Sequence, residues 1–342
     1  MDDAPETDAM PSELWIRLGI LLRRPWWRNP ERYSHELISD DYWILAGRWD
    51  TFCRKISPAR IHPRLGWVQG PVSKENPLGL VPATTRRLVK DGRPKLLCIG
   101  DSYIDGPVSD EDKLPQLLDS CLERVEVLNL GVGGYGTGQM HLLLRETLPL
   151  VDRPSLILVG VEQFSFDRAG LGVRSYQKPR LVLRDDGGLE VTNVPIDPNP
   201  RRFFRRAKLK LRSLREAALR MELSHPSGSD YGFDDKVAVN RAILSANQKL
   251  AQDAGADLLY VLFSDHPQLT QPDRRSAFFR EELAARQIDF IDTGPILLAH
   301  AEAHGTDAAE LYSNGHLTGR GNRIVAAAIA SKLARLGATT DR

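Results

Sequence analysis

The sequence predicts an α/β fold, a doubly wound parallel sheet in a three-layer sandwich. Three observations carry that prediction. Short, wholly apolar runs at 96–99, 156–161 and 258–263 suit strands that are covered on both faces. After the first run, Leu114, Leu117, Leu118, Cys121 and Leu122 recur at helical spacing. Strand and helix signals then alternate from Pro94 nearly to the C-terminus, as right-handed crossovers require.

Taken in order, the strand at 96–99 leads to the helix that begins at Leu114. Strand 125–130, helix 140–148 and strand 156–161 follow. After an interruption come a helix over 237–254 stopped by Gly255, strand 258–263, helix 275–286 and strand 288–291. The final helix spans 321–336 and ends at Gly337. The interruption, 168–235, reads as an insertion. Within it, Leu181-Val182-Leu183 and Leu189-Glu190-Val191 flank Asp185-Asp186-Gly187-Gly188, a hairpin signal. Residues 201–220 then hold nine Lys or Arg and one Glu. Phe204, Ala207, Leu211, Leu214, Ala218 and Met221 form one apolar stripe there, so the stretch reads as a basic amphipathic helix.

The organisation is therefore an N-terminal extension, 1–93, ahead of an α/β domain over 94–342. All six tryptophans lie between Trp15 and Trp67. A short Trp- and Arg-bearing helix ended by Pro25 suits either a membrane interface or docking on the protein's own core. His62-Pro63-Arg64-Leu65-Gly66-Trp67 reads as an extended lead-in.

The formal charge of +1 argues against a nucleic-acid partner, but it is a cancellation that conceals the basic stretch 201–220. That stretch leaves an anionic polysaccharide or a membrane surface as candidate partners, against the plainer reading of a solvated lid. Cys53, Cys98 and Cys121 have neither disulfide nor zinc-ligand spacing, so no metal is expected. The acidic start lacks a signal-peptide pattern, and a cytoplasmic location is expected, with peripheral membrane association as the variant.

The residues with chemical promise fall at strand ends. Ser102, in Leu96-Leu97-Cys98-Ile99-Gly100-Asp101-Ser102, stands just past a buried strand, before a helix. There its turn aims the hydroxyl and its own N–H is free to face an oxyanion. The run from Asn129 through Gly131, Gly133, Gly134 and Tyr135 to Gly136 follows the second strand and offers bare backbone N–H groups. His316, in Asn314-Gly315-His316-Leu317-Thr318, precedes the last helix and ends on the same side of the sheet as Ser102.

These three blocks resemble those of the SGNH (GDSL) hydrolase family of esterases and acetylesterases, over residues 95–336. The His62 to Trp67 lead-in is similar to that of many bacterial members. The resemblance implies a flavodoxin-like sandwich, Ser102 as nucleophile, His316 as base, and Gly134 with Ser102 as backbone oxyanion donors. It implies no cofactor, and a short acyl ester as substrate, with O-acetylated carbohydrate as a candidate.

Two departures stand out. The family's third block supplies an oxyanion Asn, whereas here the strand runs into Glu162-Gln163-Phe164; Gln163 is the amide on offer, and an ionised Glu162 would repel an oxyanion. Where the family has an Asp before the histidine, this chain has Ser313 and Asn314. Asn314 is able to orient His316 without a negative charge to support the imidazolium. Two readings follow: an ester hydrolase or acyltransferase, or a non-catalytic binding or assembly protein on a degraded scaffold.

Overall fold

A computed structural model describes residues 57–88, 92–172, 176–199, 202, 233–266, 269 and 273–336. The Trp-rich helix before Pro25 and, apart from Arg202, the basic helix of 201–220 lie outside the described residues.

The described residues begin with a two-strand ribbon, β1 (Ile61–His62) and β2 (Gly66–Trp67), preceded by a 3-10 turn, and then helix α1 (Pro82–Arg87). Next come β3 (Lys95–Gly100), α2 (Leu114–Cys121), β4 (Glu126–Gly131), α3 (Thr137–Thr147), β5 (Pro154–Val161) and the short α4 (Gln163–Asp167). A hairpin of β6 (Arg180–Leu183) and β7 (Leu189–Thr192) leads to α5 (Phe233–Asp253) and β8 (Asp257–Leu262). The chain finishes with α6 (Arg274–Ala285), β9 (Asp289–Asp292), α7 (Thr293–His304), the ribbon β10 (Tyr312–Ser313) and β11 (His316–Leu317), and α8 (Gly319–Leu336).

Strands β4, β3, β5, β8 and β9 form one parallel sheet in that order. Counted along the chain this is 2-1-3-4-5, the flavodoxin-like doubly wound arrangement, whose order reverses beside β3. Alternate residues of each strand serve opposite layers. Leu96 and Cys98 join Leu114, Leu118, Leu297, Val325 and Ile329 of α2, α7 and α8. Leu97 and Ile99 join Leu143, Leu144, Ile243, Phe278 and Phe279 of α3, α5 and α6. Burial on both faces is why these strands read as continuous apolar runs.

Three glycines shape the sheet edge that carries the candidate residues. Gly100 and Gly131 end β3 and β4 in register, and Gly160 lies in β5. Ile104, fully buried in the turn after Ser102, occupies the space that their side chains would fill. A Cβ at Gly131 would sit 2.7 Å from Ile104 Cγ2, and one at Gly160 2.8 Å from its Cδ1. The missing side chains let the turn sink onto the strand ends.

Several elements differ from the sequence expectation. Ser102 does not lead directly into a helix. Ile104 and Asp105 donate to the Asp101 carbonyl (3.1 and 3.0 Å) in a tight turn, Gly106-Pro107 follows, and a 3-10 turn over Asp110–Asp112 precedes the α-helix at Leu114. Helix α7 was hidden by Gly294-Pro295, which reads as a break. In the first turn, however, proline gives up no intrahelical bond, and Asp292 caps the helix by accepting from Gly294 N at 3.1 Å. Residues 61–88, assigned to the extension by the sequence, share the sheet's core through Leu65, Trp67, Val68, Leu78, Leu80 and Leu88.

Candidate active site

Ser102 lies beyond the C-terminal end of β3, where the strand order reverses. Its turn is set by Asp101, whose Oδ1 accepts from Tyr103 N at 3.0 Å while its carbonyl takes the two amides beyond. His316 opens β11 on the same edge of the sheet. Ser102 Oγ and His316 Nε2 are 2.8 Å apart, within hydrogen-bonding reach.

The other ring nitrogen, His316 Nδ1, lies 3.0 Å from the main-chain carbonyl of Asn314. A carbonyl only accepts, so Nδ1 carries the hydrogen and Nε2 is left to accept from the serine hydroxyl. The sequence analysis offers the Asn314 side chain for this orienting role; the main-chain oxygen lies there instead. Asn314 adopts φ 49 and Gly315 φ 74, which curls the β10–β11 turn so that the carbonyl faces the ring. Tyr103 holds the same turn, donating from its hydroxyl to Gly315 O at 2.9 Å. Burial pushes the Tyr103 phenol well up, so it stays a donor, and its ring stacks on Phe263 with centroids 4.9 Å apart.

The glycine-rich run docks beside this pair. Val132 N donates to Gly100 O at 3.0 Å, fixing the run to the end of β3. Tyr135 N donates to Val132 O at 3.1 Å, closing a four-residue turn with Gly134 third at φ 81. That is a type II turn, whose third position needs a positive φ and hence glycine. Among the described residues, neither Ser102 N nor Gly134 N has a protein acceptor.

Beneath the site lies a charged cluster that the sequence reading did not single out. Arg168 Nη1 reaches Asp101 Oδ2 at 2.9 Å, Glu162 Oε1 at 3.2 Å and Tyr135 O at 3.2 Å. One side chain thus ties the serine turn, the end of β5 and the glycine-rich run together. Glu162 also caps α4, accepting from Phe164 N at 2.7 Å. Burial pushes the Glu162 carboxyl well above the usual carboxylate range; Arg168 opposes the shift and Asp101 reinforces it. The direction of that shift works against the repulsion expected of an ionised Glu162. Gln163 turns its amide to Asp265, donating from Nε2 to Oδ2 at 3.1 Å.

Arg168, Tyr103 and Trp67 were the residues missed. Arg168 lies 67 positions from the carboxylate it holds, with no local pattern to mark it. Trp67 was read only as lead-in, yet its indole N–H donates to Gly133 O at 2.9 Å. Among the described residues, no group of three or more His, Cys, Asp or Glu side chains assembles as a metal site, and no helix is long and apolar enough to cross a membrane.

No protein-family model and no curated protein matches the sequence. Solved structures do match. A lipolytic protein of the G-D-S-L family from Veillonella parvula is 14% identical, with 70% of this chain and 98% of that one covered and a TM-score of 0.41. An acetylxylan esterase from Geobacillus stearothermophilus is 14% identical over 75% of this chain and 97% of its own, with a TM-score of 0.42. The SGNH-hydrolase family esterase AlinE4 is 15% identical over 72% and 98%, with a TM-score of 0.37. The first and third of these proteins are described as G-D-S-L and SGNH-hydrolase family members respectively.

Proposed function

We propose that the chain is a serine ester hydrolase, or acyltransferase, of the SGNH type that acts on short acyl esters. The observation that carries this reading is the 2.8 Å approach of Ser102 Oγ to His316 Nε2, with the imidazole tautomer set by the Asn314 carbonyl.

In this reading Ser102 Oγ attacks the ester carbonyl carbon while its proton passes to His316 Nε2. The carbonyl oxygen becomes the oxyanion, received by the amides of Ser102 and Gly134. Collapse breaks the bond to the leaving alkoxide, which takes the proton from His316 and departs as the alcohol. Water, or the hydroxyl of an acceptor sugar, then attacks the acyl-serine with His316 again as base. Hydrolysis releases the acid, transfer releases the new ester, and Ser102 recovers its hydrogen.

Two features set the expected rate. The Asn314 carbonyl fixes the tautomer but brings no charge to the imidazolium. The Gln163 Nε2 donates one N–H to Asp265, this reading counts on the two backbone amides, and a missing third oxyanion donor costs about 10²–10³ in kcat. Slow but serine-dependent turnover is expected. The substrate class follows the sequence resemblance, with O-acetylated sugars first.

The test is covalent labelling of the full chain by a fluorophosphonate, together with hydrolysis of an aryl acetate and of acetylated xylo-oligosaccharides. Labelling should map to Ser102, and Ser102→Ala should lose at least about a thousandfold of the esterase activity. A folded protein that is neither labelled nor active is instead a binding protein on this scaffold.

A further inference from the structure

The Gly133–Gly134 peptide is the central plane of its type II turn. Types I and II differ by rotation of that one plane through about 180°, which reverses the amide it carries. With glycine at both central positions, no Cβ forbids either orientation. Something outside the turn must choose between them.

Trp67 is placed to do so. Its indole N–H donates to Gly133 O at 2.9 Å, and in a planar trans peptide that carbonyl and the Gly134 N–H point in opposite directions. Holding the carbonyl therefore aims the amide. The tryptophan is itself rigidly seated. Only 4% of it is exposed, and Ile61 faces it across the β1–β2 ribbon. Tyr135 OH donates to Trp67 O at 2.7 Å, and the two rings meet edge-to-face at 5.6 Å. A flipped plane would strand the buried indole N–H without its acceptor.

A neighbouring contact shows that the arrangement is selective. Gln69 Nε2 donates to Gly131 O at 2.5 Å, but that peptide carries the Val132 amide, already spent on Gly100 O. The plane held by Trp67 carries an amide with no protein acceptor among the described residues.

We propose that Trp67 is the positioning residue of the oxyanion site, locking the Gly133–Gly134 peptide so that the Gly134 amide faces the reacting carbonyl. The inference rests on the serine-hydrolase reading. The same hydrogen bond polarises the peptide, which strengthens the amide as a donor.

The test compares steady-state kinetics of the full chain with those of Trp67→Phe, which keeps an aromatic ring and removes the N–H. A kcat about tenfold lower, with KM within about twofold, is expected. Gln69→Met, which loosens the same loop elsewhere, should leave kcat unchanged. Gly133→Pro in the Trp67→Phe background should restore most of the loss. Pro-Gly favours the type II turn, and a Cβ at Gly133 meets nothing within 4 Å. An unchanged kcat in Trp67→Phe, or a loss that proline does not restore, overturns the proposal. Should Trp67→Phe not fold, the unmodified protein decides: phosphonylation of Ser102 should move the Trp67 indole N–H resonance downfield, and a fixed resonance overturns it. A wild-type protein that is neither labelled nor active refutes the hydrolase reading instead.

Discussion

His316 Nδ1 lies 3.0 Å from the main-chain carbonyl oxygen of Asn314, two residues before it. The position that resembles a catalytic carboxylate in the family thus contributes through its backbone, and its exposed side chain is not what holds the ring. Asn314→Gly should keep kcat within about threefold, because glycine adopts φ 49 without strain and retains the carbonyl. Asn314→Asp should gain little for the same reason. Kinetics on an aryl acetate check both. A loss of a hundredfold in Asn314→Gly would show that the amide side chain orients His316 after all.

Arg168 holds two buried carboxyl groups and one carbonyl through a single nitrogen. Arg168→Met removes the cation and leaves Asp101 in the interior beside Glu162, a change of the kind that costs about 3–5 kcal/mol. A clear fall in melting temperature is expected. Asp101→Asn in the same chain should recover part of it, because the stranded charge is gone. If the two effects simply add, the pair is not the source of the cost.

The sheet was legible in the sequence because both its faces are covered. Leu96 to Ile99 and Leu156 to Val161 had to be apolar throughout, and the helices between them show their stripes. Helix α7 was not legible, since Gly294-Pro295 has the composition of a break and only the Asp292 cap shows it to be a start. Within the candidate site, Ser102, the glycine-rich run 129–136 and His316 stood out by residue type and place in the alternation, and Gly134 through the family resemblance. What hid the rest was distance and dihedral angle. Trp67 and Gly133 are 66 positions apart, and nothing local tells a tryptophan that packs from one that packs and donates. The Asn314 side chain was visible, whereas the φ that turns its carbonyl to the ring was not.

Glu162 gives a pH-dependent signature. Its carboxyl is raised well above the ordinary value of 4.5, chiefly by burial, so the folded chain keeps a proton that the unfolded chain has already lost. Its contribution to stability is complete below the ordinary value and is lost as pH rises through the folded one. Glu162→Gln cannot ionise and keeps an oxygen for the Phe164 amide. Melting temperatures from about pH 5 to about pH 9 should therefore fall in the wild type relative to the variant. Parallel curves would mean that Glu162 titrates as an ordinary surface carboxyl.

Gly160 tests whether the glycine-lined strand ends support the serine turn. A Cβ there would lie 2.8 Å from both Ile104 Cδ1 and Phe263 Cε2, closer than carbon atoms pack. Overpacking of this kind costs about 1–3 kcal/mol, and it presses on the fully buried Ile104, two residues after Ser102. Gly160→Ala should lower the melting temperature and reduce kcat together, because the displaced Ile104 carries the turn with it. Ile104→Ala alone opens a cavity in the same place, at a cost of about 2–5 kcal/mol. The added methyl fills part of that cavity, so the double variant should be more stable than the sum of the singles by about 1 kcal/mol or more. Strict additivity would mean that Gly160 and Ile104 do not share this space, and that the sunken turn has another cause.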